Sequence, residues 1–139
     1  MLNIGNYMSV KRQIILNGTN YESAIGFAQA SRIDDLICVS GTGPCDENGK
    51  TVFEGNAYLQ AQKCIEAALE SVLQCGGTID DVIRTRIFIT KSENWETVAS
   101  AHNEFFNTIQ PACSVIVANA LIDPKWLVQV EIDAYVKAQ

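Results

Sequence analysis

The spacing of hydrophobic residues predicts two helices in this chain. Between residues 56 and 75 apolar side chains recur every three or four positions, which predicts an amphipathic helix of about five turns. The pair Gly76-Gly77 can end that helix, since glycine readily takes the left-handed conformation. A second stripe predicts a helix over residues 93–108 with Ser92 as its N-cap, and consists of Trp95, Val98, His102, Phe105 and Ile109.

Six further segments have the alternating or β-branched pattern of strands. They cover residues 11–16, 24–33, 36–41, 78–90, 113–118 and 127–136. In the fourth strand the alternation assigns Ile83, Thr85, Ile87 and Ile89 to one face, opposite Arg84, Arg86 and Phe88. In the last strand one face carries aliphatic residues, and the other carries Gln129, Glu131, Asp133 and Tyr135.

The resulting order, β-β-β-α-β-α-β-β, predicts an α+β fold with both helices on one face of the sheet. Two helices cannot cover both faces of a sheet of about six strands. The opposite face, which carries Arg84, Arg86 and Glu131, must therefore meet solvent or another copy of the chain. The pattern favours a homo-oligomer that packs sheet faces together, with polar clefts between the copies.

Composition narrows the classes of function. The net charge of −6 disfavours nucleic-acid binding, which needs a basic surface. No apolar run is long enough to span a membrane, and the N-terminus has no apolar h-region, which favours a cytoplasmic location. Residues 1–7 are either a short disordered extension or precede a true start at Met8. The five cysteines lack any paired spacing, so reduced thiols are expected rather than disulfides or a zinc site.

Several residues could carry chemistry, and each also has a structural interpretation. Glu131 and Asp133 share a strand face, and one of these carboxylates could act as a general base or orient water if a partner covers that face, or both could be ordinary solvated charges. Arg84 and Arg86 could hold an anionic substrate, or form salt bridges across strands. Cys113 could be a nucleophile, but packing is favoured for it. His102, in an apolar stripe, is interpreted as a satisfied residue at the edge of the core.

The other four cysteines are interpreted as packed structural residues or as an unreactive surface thiol. Cys38, Cys64 and Cys75 are expected to pack against other residues, because they lie in a strand or at a helix. Cys45 lies in the loop that contains Gly43 and Pro44, and is expected to be the most exposed thiol.

The chain resembles the RidA/YjgF family, also called the endoribonuclease L-PSP family. The resemblance covers about 120 residues as a single domain within 8–139. Four segments in order carry it: "YESAIGFAQASRIDDLICVSGT", "GNAYLQAQKCIEAALESVLQCGGTIDDVIRTRIFIT", "ENWETVASAHNEFF" and "PACSVIVANALIDPKWLVQVEIDAYV". It implies a chorismate-mutase-like fold and a homotrimer that binds small molecules in three clefts between subunits.

The resemblance also implies an activity and a set of site residues. Characterised members hydrolyse enamines and imines such as 2-iminobutanoate to 2-keto acids and ammonia, with no metal or cofactor. The glutamate that orients the attacking water corresponds to Glu131. The other substrate-binding positions of the family correspond to Phe27, Ser40, Gly41, Asn94, Trp95 and Cys113.

Cys113 is the position at which this sequence departs from the active members. They have an arginine there that binds the substrate carboxylate, and a cysteine cannot form such a two-pronged ion pair. Loss of this group leaves three hypotheses open. The protein is a deaminase-type hydrolase, or a non-catalytic metabolite-binding and regulatory trimer, or an endoribonuclease and translation inhibitor, the last being disfavoured by the acidic charge.

Overall fold

The computed structural model describes residues 11–137, and these form one six-stranded sheet with helices. The predictions for residues 1–7 and Met8 lie outside this range. The strands and helices, in chain order, are β1 (Arg12–Ile15), α1 (Asn20–Ile25), β2 (Ala30–Ile33), β3 (Leu36–Thr42), α2 (Ala57–Gln74), β4 (Val82–Ile89), α3 (Trp95–Phe106), β5 (Ala112–Val117) and β6 (Val128–Tyr135). Short 3₁₀ turns at Ile79–Asp81 and Ser92–Asn94 precede β4 and α3.

The strands lie in the order β1-β2-β3-β6-β4-β5, so the last strand of the chain occupies the interior of the sheet. All neighbours are antiparallel except β4 and β5, which are parallel and connected through α3. β5 is the last strand in this order and is therefore an edge strand. The arrangement agrees with the predicted α+β fold, and it brings β6 between β3 and β4.

The two long helices pack on one face of the sheet, as the alternation predicts. The side chains of β4 and β6 that point towards α2 and α3 are almost wholly buried, because they form the core with the inner stripes of both helices. The largest of these strand residues are Ile87, Ile89, Val128, Val130 and Ile132. We call the opposite side of the sheet the open face; it includes Cys38, Arg84, Arg86, Phe88, Gln129, Glu131 and Asp133.

The prediction of a strand over residues 24–33 is wrong in its first half. Residues 20–25 form the short helix α1, and β2 begins only at Ala30. Thr19 and Glu22 form a capping box at the start of α1, which satisfies backbone N–H groups that a strand would have paired. Gly26 ends the helix in the left-handed conformation, with φ of 87°.

Two details around β4 also differ from the predictions. Ile83 was assigned to the core face but is 51% exposed, because a bulge between Val82 and Arg84 adds a residue to β4 opposite β6. Ser92 does not cap α3. It begins a 3₁₀ turn instead, and α3 starts at Trp95, which is 53% exposed rather than part of the buried stripe.

Within residues 11–137, none of the helices has the length and apolar character needed to cross a membrane.

Candidate functional site

Glu131 lies on the open face near the centre of the sheet, opposite an irregularity in β3. Val39 pairs with Ile132 and Thr42 pairs with Val130, so two residues of β3, Ser40 and Gly41, face the single Glu131 of β6. Such a bulge bends the strand and redirects its side chains, and bulges are frequent beside functional sites. The tertiary structure therefore brings together Ser40, Gly41 and Glu131, three of the residues that the family resemblance indicates.

Two hydrogen bonds of Ser40 connect this bulge to the loop that carries Phe27. The Ser40 hydroxyl donates to the carbonyl oxygen of Ala28 at 2.7 Å, and the Ser40 N–H donates to the Gln29 carbonyl at 2.8 Å. Phe27, half-buried, directly precedes this anchored pair. Phe27 and Ser40 therefore belong to the same end of the sheet.

Gly41 leaves room for another open-face side chain. A Cβ at this position would lie 2.6 Å from Nε2 of Gln129, closer than any real contact. The absence of a side chain at Gly41 lets the Gln129 amide lie over β3, next to Glu131 on β6. The sequence does not reveal this contact, because the two residues are far apart in the chain.

Glu22 fixes the helix that precedes Phe27. Its carboxylate accepts the backbone N–H of Asn17 at 2.9 Å and that of Thr19 at 3.0 Å. Burial raises the pKa of the Glu22 carboxyl, but the backbone donors, including those of Asn17 and Thr19, act in the opposite direction and hold that pKa below its ordinary value of 4.5. The orientation of this loop therefore depends on an ionised side chain.

Arg86 connects the two carboxylates of β6. Its Nη1 lies 3.4 Å from Oε1 of Glu131 and 3.3 Å from Oδ2 of Asp133. This confirms the cross-strand salt bridge that was one interpretation of Arg86. All three side chains retain between 23% and 34% of their exposure, so each ion pair is expected to stabilise the fold by less than about 1 kcal/mol. The arrangement holds Glu131 in place more than it stabilises the protein.

Cys38 completes this group of open-face side chains, and the prediction that it packs against other residues is wrong. It is exposed and pairs with Asp133 across β3 and β6. Partial burial raises the pKa of the Cys38 thiol, and the Asp133 carboxylate raises it further, while Arg86 acts in the opposite direction. The thiol therefore remains protonated at neutral pH, which does not suit it to act as a nucleophile.

The remaining thiols divide into buried and accessible groups. Cys64 and Cys75 are buried, as predicted. Cys45 is half-buried, so the expectation that it is the most exposed thiol is wrong. Cys113 is exposed on the edge strand β5, where all six side chains are exposed.

Cys113 does not share a face with Glu131. It pairs with Thr85, whose side chain is buried under the helices, whereas Glu131 pairs with Arg86 on the open face. Asn94 lies in the 3₁₀ turn after β4 and Trp95 begins α3, so no strand register places either residue opposite Glu131. Among the predicted site residues, Phe27, Ser40, Gly41 and Glu131 are therefore connected through β3 and β6, whereas Cys113 lies on the opposite face of the sheet.

His102 has the structural role expected from the sequence. Its Nε2 lies 2.8 Å from the Thr85 hydroxyl, and its ring packs on Phe106 with the centroids 4.6 Å apart. Burial lowers the pKa of His102, so its neutral form is favoured. The imidazole is engaged between α3 and β4.

Elsewhere in the described structure, the candidates for a ligand or metal site are weaker. A cavity of about 420 Å³ opens beside the paired strands β1 and β2, where it is lined by Lys11, Gln13, Arg32, Asp34 and Asp35. Its arginine is already engaged by the carbonyls of Asp34 and Cys75, both at 2.7 Å. Among residues 11–137, no cluster of three or more His, Cys, Asp or Glu side chains is arranged to hold a metal.

The fold and the arrangement of these residues define an α+β protein whose sheet keeps one face open. A family model described as endoribonuclease L-PSP matches residues 18–136. An uncharacterised protein of Streptomyces coelicolor is 33% identical over 122 residues, which are 87% of this chain and 90% of that protein.

Solved structures agree with this assignment. A Mycobacterium tuberculosis protein described as a member of the YjgF family is 33% identical, with a TM-score of 0.82 over 91% of this chain and 100% of the other. The YjgF protein of Escherichia coli, at 22% identity, shares the fold with a TM-score of 0.77 over 90% of this chain and 98% of its own. The chain belongs to the RidA/YjgF family.

Proposed function

We propose that the protein hydrolyses small enamines or imines such as 2-iminobutanoate, with Glu131 orienting the attacking water. The observation that carries this proposal is the position of Glu131 opposite the Ser40–Gly41 bulge, within a chain of this family. A carboxylate that is held by Arg86 and remains a third exposed can accept a proton from water next to a bound substrate.

The complete site is proposed to form between copies of the chain, as in a homotrimer. Glu131 and Cys113 lie on opposite faces of one sheet, so a single copy cannot place both against one ligand. The edge strand β5 exposes both of its faces, and its apolar side chains Val115, Ile116 and Val117 are 40% to 55% exposed. A second copy packed against this edge would cover that surface and bring Cys113 of one chain near Glu131 of the other.

The test measures ammonia release from freshly generated 2-iminobutanoate. The full-length protein is expected to accelerate release over buffer, and Glu131→Ala is expected to lower the rate about 100-fold, because positioned general bases contribute on the order of 10²–10⁴. Asp133→Asn is the matched control, since Asp133 shares the strand face and the contact with Arg86 but is not assigned to water.

Two outcomes would contradict the proposal. Either the wild type gives no more ammonia than buffer, or Glu131→Ala is as active as the wild type. Thermal stabilisation by a 2-keto acid without turnover would instead favour a binding role, for which Cys113 is the motivating residue. Size-exclusion chromatography with light scattering tests the trimer, and a monomer at working concentration would exclude a site between copies.

A further inference from the structure

Arg86 keeps much of its hydrogen-bonding capacity. A guanidinium group has five N–H donors in a rigid fork. The contacts of Arg86 with Glu131 and Asp133 both use Nη1, and no described residue accepts a hydrogen bond from Nε or Nη2. The edge formed by Nε and Nη2 matches the two oxygens of a carboxylate. With 34% of the side chain exposed, this edge can be reached by a ligand.

Arg32 provides a contrast within the same chain. Its Nε donates to the Asp34 carbonyl, its Nη1 donates to the Cys75 carbonyl, and its Nη2 faces Asp35 at 3.6 Å. Every nitrogen of that guanidinium has a partner, so Arg32 stabilises the fold. Among residues 11–137, Arg86 has partners on Nη1 alone, so its other donors are available to a ligand.

The neighbours of Arg86 on β5 have complementary properties. Strand register places Ser114 directly beside Arg86 and Ile116 beside Phe88 on the open face. A hydroxyl and an apolar floor therefore lie on one side of Arg86, and Glu131 lies on the other. Arg84, exposed on the same face, offsets the second carboxylate, so Arg84, Arg86, Glu131 and Asp133 carry no net charge together. An incoming carboxylate meets no net repulsion.

We propose that Arg86, assisted by Ser114, binds the carboxylate of a short 2-oxo or 2-imino acid, whose small aliphatic chain contacts Phe88 and Ile116. This inference rests on the proposed function, since it places the reacting carbon next to Glu131. Directly opposed residues on antiparallel strands have Cβ atoms about 4.5–5.5 Å apart. Arg86 is directly opposed to Glu131 and its Nη1 lies 3.4 Å from Oε1 of that residue, so a carboxylate bound to Arg86 holds the ligand beside the carboxylate that is proposed to orient water.

The apolar surface beside Arg86 also limits the size of the ligand. It consists of two side chains, Phe88 on β4 and Ile116 on β5, so it suits an aliphatic chain of one to three carbons. Arg86 therefore supplies from β4 the carboxylate contact that Cys113 cannot provide from β5.

Isothermal titration of the full-length protein with pyruvate tests the inference, and uncharged pyruvamide is the matched ligand. Wild type is expected to bind pyruvate at least tenfold more tightly than pyruvamide. Arg86→Gln is expected to weaken pyruvate binding by about ten- to 100-fold and to leave pyruvamide unchanged, because only the charged ligand uses the fork. Arg84→Gln, on the same face and without an ion pair among the described residues, is expected to change binding less than about threefold.

Two further variants keep the test valid if Arg86→Gln folds poorly. Arg86→Lys keeps the charge and loses the fork, and Ser114→Ala removes one donor, so each is expected to weaken pyruvate about three- to tenfold. Pyruvate binding that is undetectable in wild type, or equal in wild type, Arg86→Lys and Ser114→Ala, would overturn the inference.

The imine assay separates this inference from the proposed function. Arg86-dependent pyruvate binding without imine hydrolysis would contradict the proposed hydrolase activity and still support the carboxylate site at Arg86. Imine hydrolysis with an unchanged KM in Arg86→Gln would support the hydrolase and overturn the role of Arg86.

Discussion

The helix-covered face and the open face of the sheet are built from alternate residues of the same strands, yet they differ in what holds them. On β6, Val130 and Ile132 are fully buried against α2 and the rest of the core, whereas Glu131 and Asp133 keep 33% and 23% of their exposure and contact Arg86. The covered face is held by close packing of apolar atoms. The open face is held by polar contacts that are individually weak, and this leaves its side chains available for a ligand or for another copy.

The largest expected difference between the two faces is in the free energy of unfolding, when the neighbouring residues Ile132 and Glu131 of β6 are each replaced by alanine. Ile132→Ala should lower the free energy of unfolding by about 2–5 kcal/mol, because it leaves a cavity in the core. Glu131→Ala should lower it by less than about 1 kcal/mol, since its ion pair is partly exposed. Urea denaturation of both variants measures this difference. Equal losses would mean that the open face contributes to folding as much as the core does.

A smaller effect is expected at Glu22, which orients the loop to Phe27 through hydrogen bonds rather than packing. Glu22→Gln should destabilise the protein by about 1–3 kcal/mol at neutral pH, because its amide cannot accept from the same set of backbone donors. The pKa of Glu22 is lowered in the folded state, so its contribution is present above 4.5 and is lost as the pH falls through the folded-state value. Thermal melts from pH 7 to 3 should show that the difference in melting temperature between wild type and variant becomes smaller as the pH falls. A difference that stays constant would contradict this prediction.

About a tenfold effect on binding is expected when the carboxylate contact is moved from β4 to β5. Cys113→Arg alone should change pyruvate affinity less than about threefold, because Arg86 already binds the carboxylate. In the Arg86→Gln background the same change should restore about tenfold of the lost affinity, by a charge-assisted pair formed from the other side of the cleft. Isothermal titration of the single and double variants with pyruvate measures these affinities. A double variant no better than Arg86→Gln would place Cys113 outside the cleft.

The smallest effect concerns the one histidine, on the covered side. The pKa of His102 is lowered by burial, so the folded state favours the neutral ring and its stability falls as the pH drops from 6.5 towards the folded-state value. His102→Gln should remove this part of the pH dependence and retain a partner for Thr85. Melting temperatures between pH 7.5 and 5 check this; an identical slope in wild type and variant would show that His102 does not titrate with unfolding.

Much of the fold could be predicted because β6 and α2 repeat their apolar residues at the periods of a strand and a helix. The alternation in β6 matches the burial of residues 128–135 position by position. Predictions failed where a local signal overrode the pattern. The capping box of Thr19 and Glu22 favours a helix at residues 20–25, and the β4 bulge turns Ile83 out of the core.

The candidate site was less predictable, because it depends on which strands become neighbours. The sequence alone determined that β6 has an acidic face with Glu131, that Arg86 lies on the polar face of β4, and that the expected arginine is replaced by Cys113. Only the tertiary structure placed β6 between β3 and β4, which brings Arg86 and the Ser40–Gly41 bulge next to Glu131 and leaves Cys113 on the other face. Side-chain period is a local property of the chain, whereas strand order and register result from contacts between residues far apart in sequence.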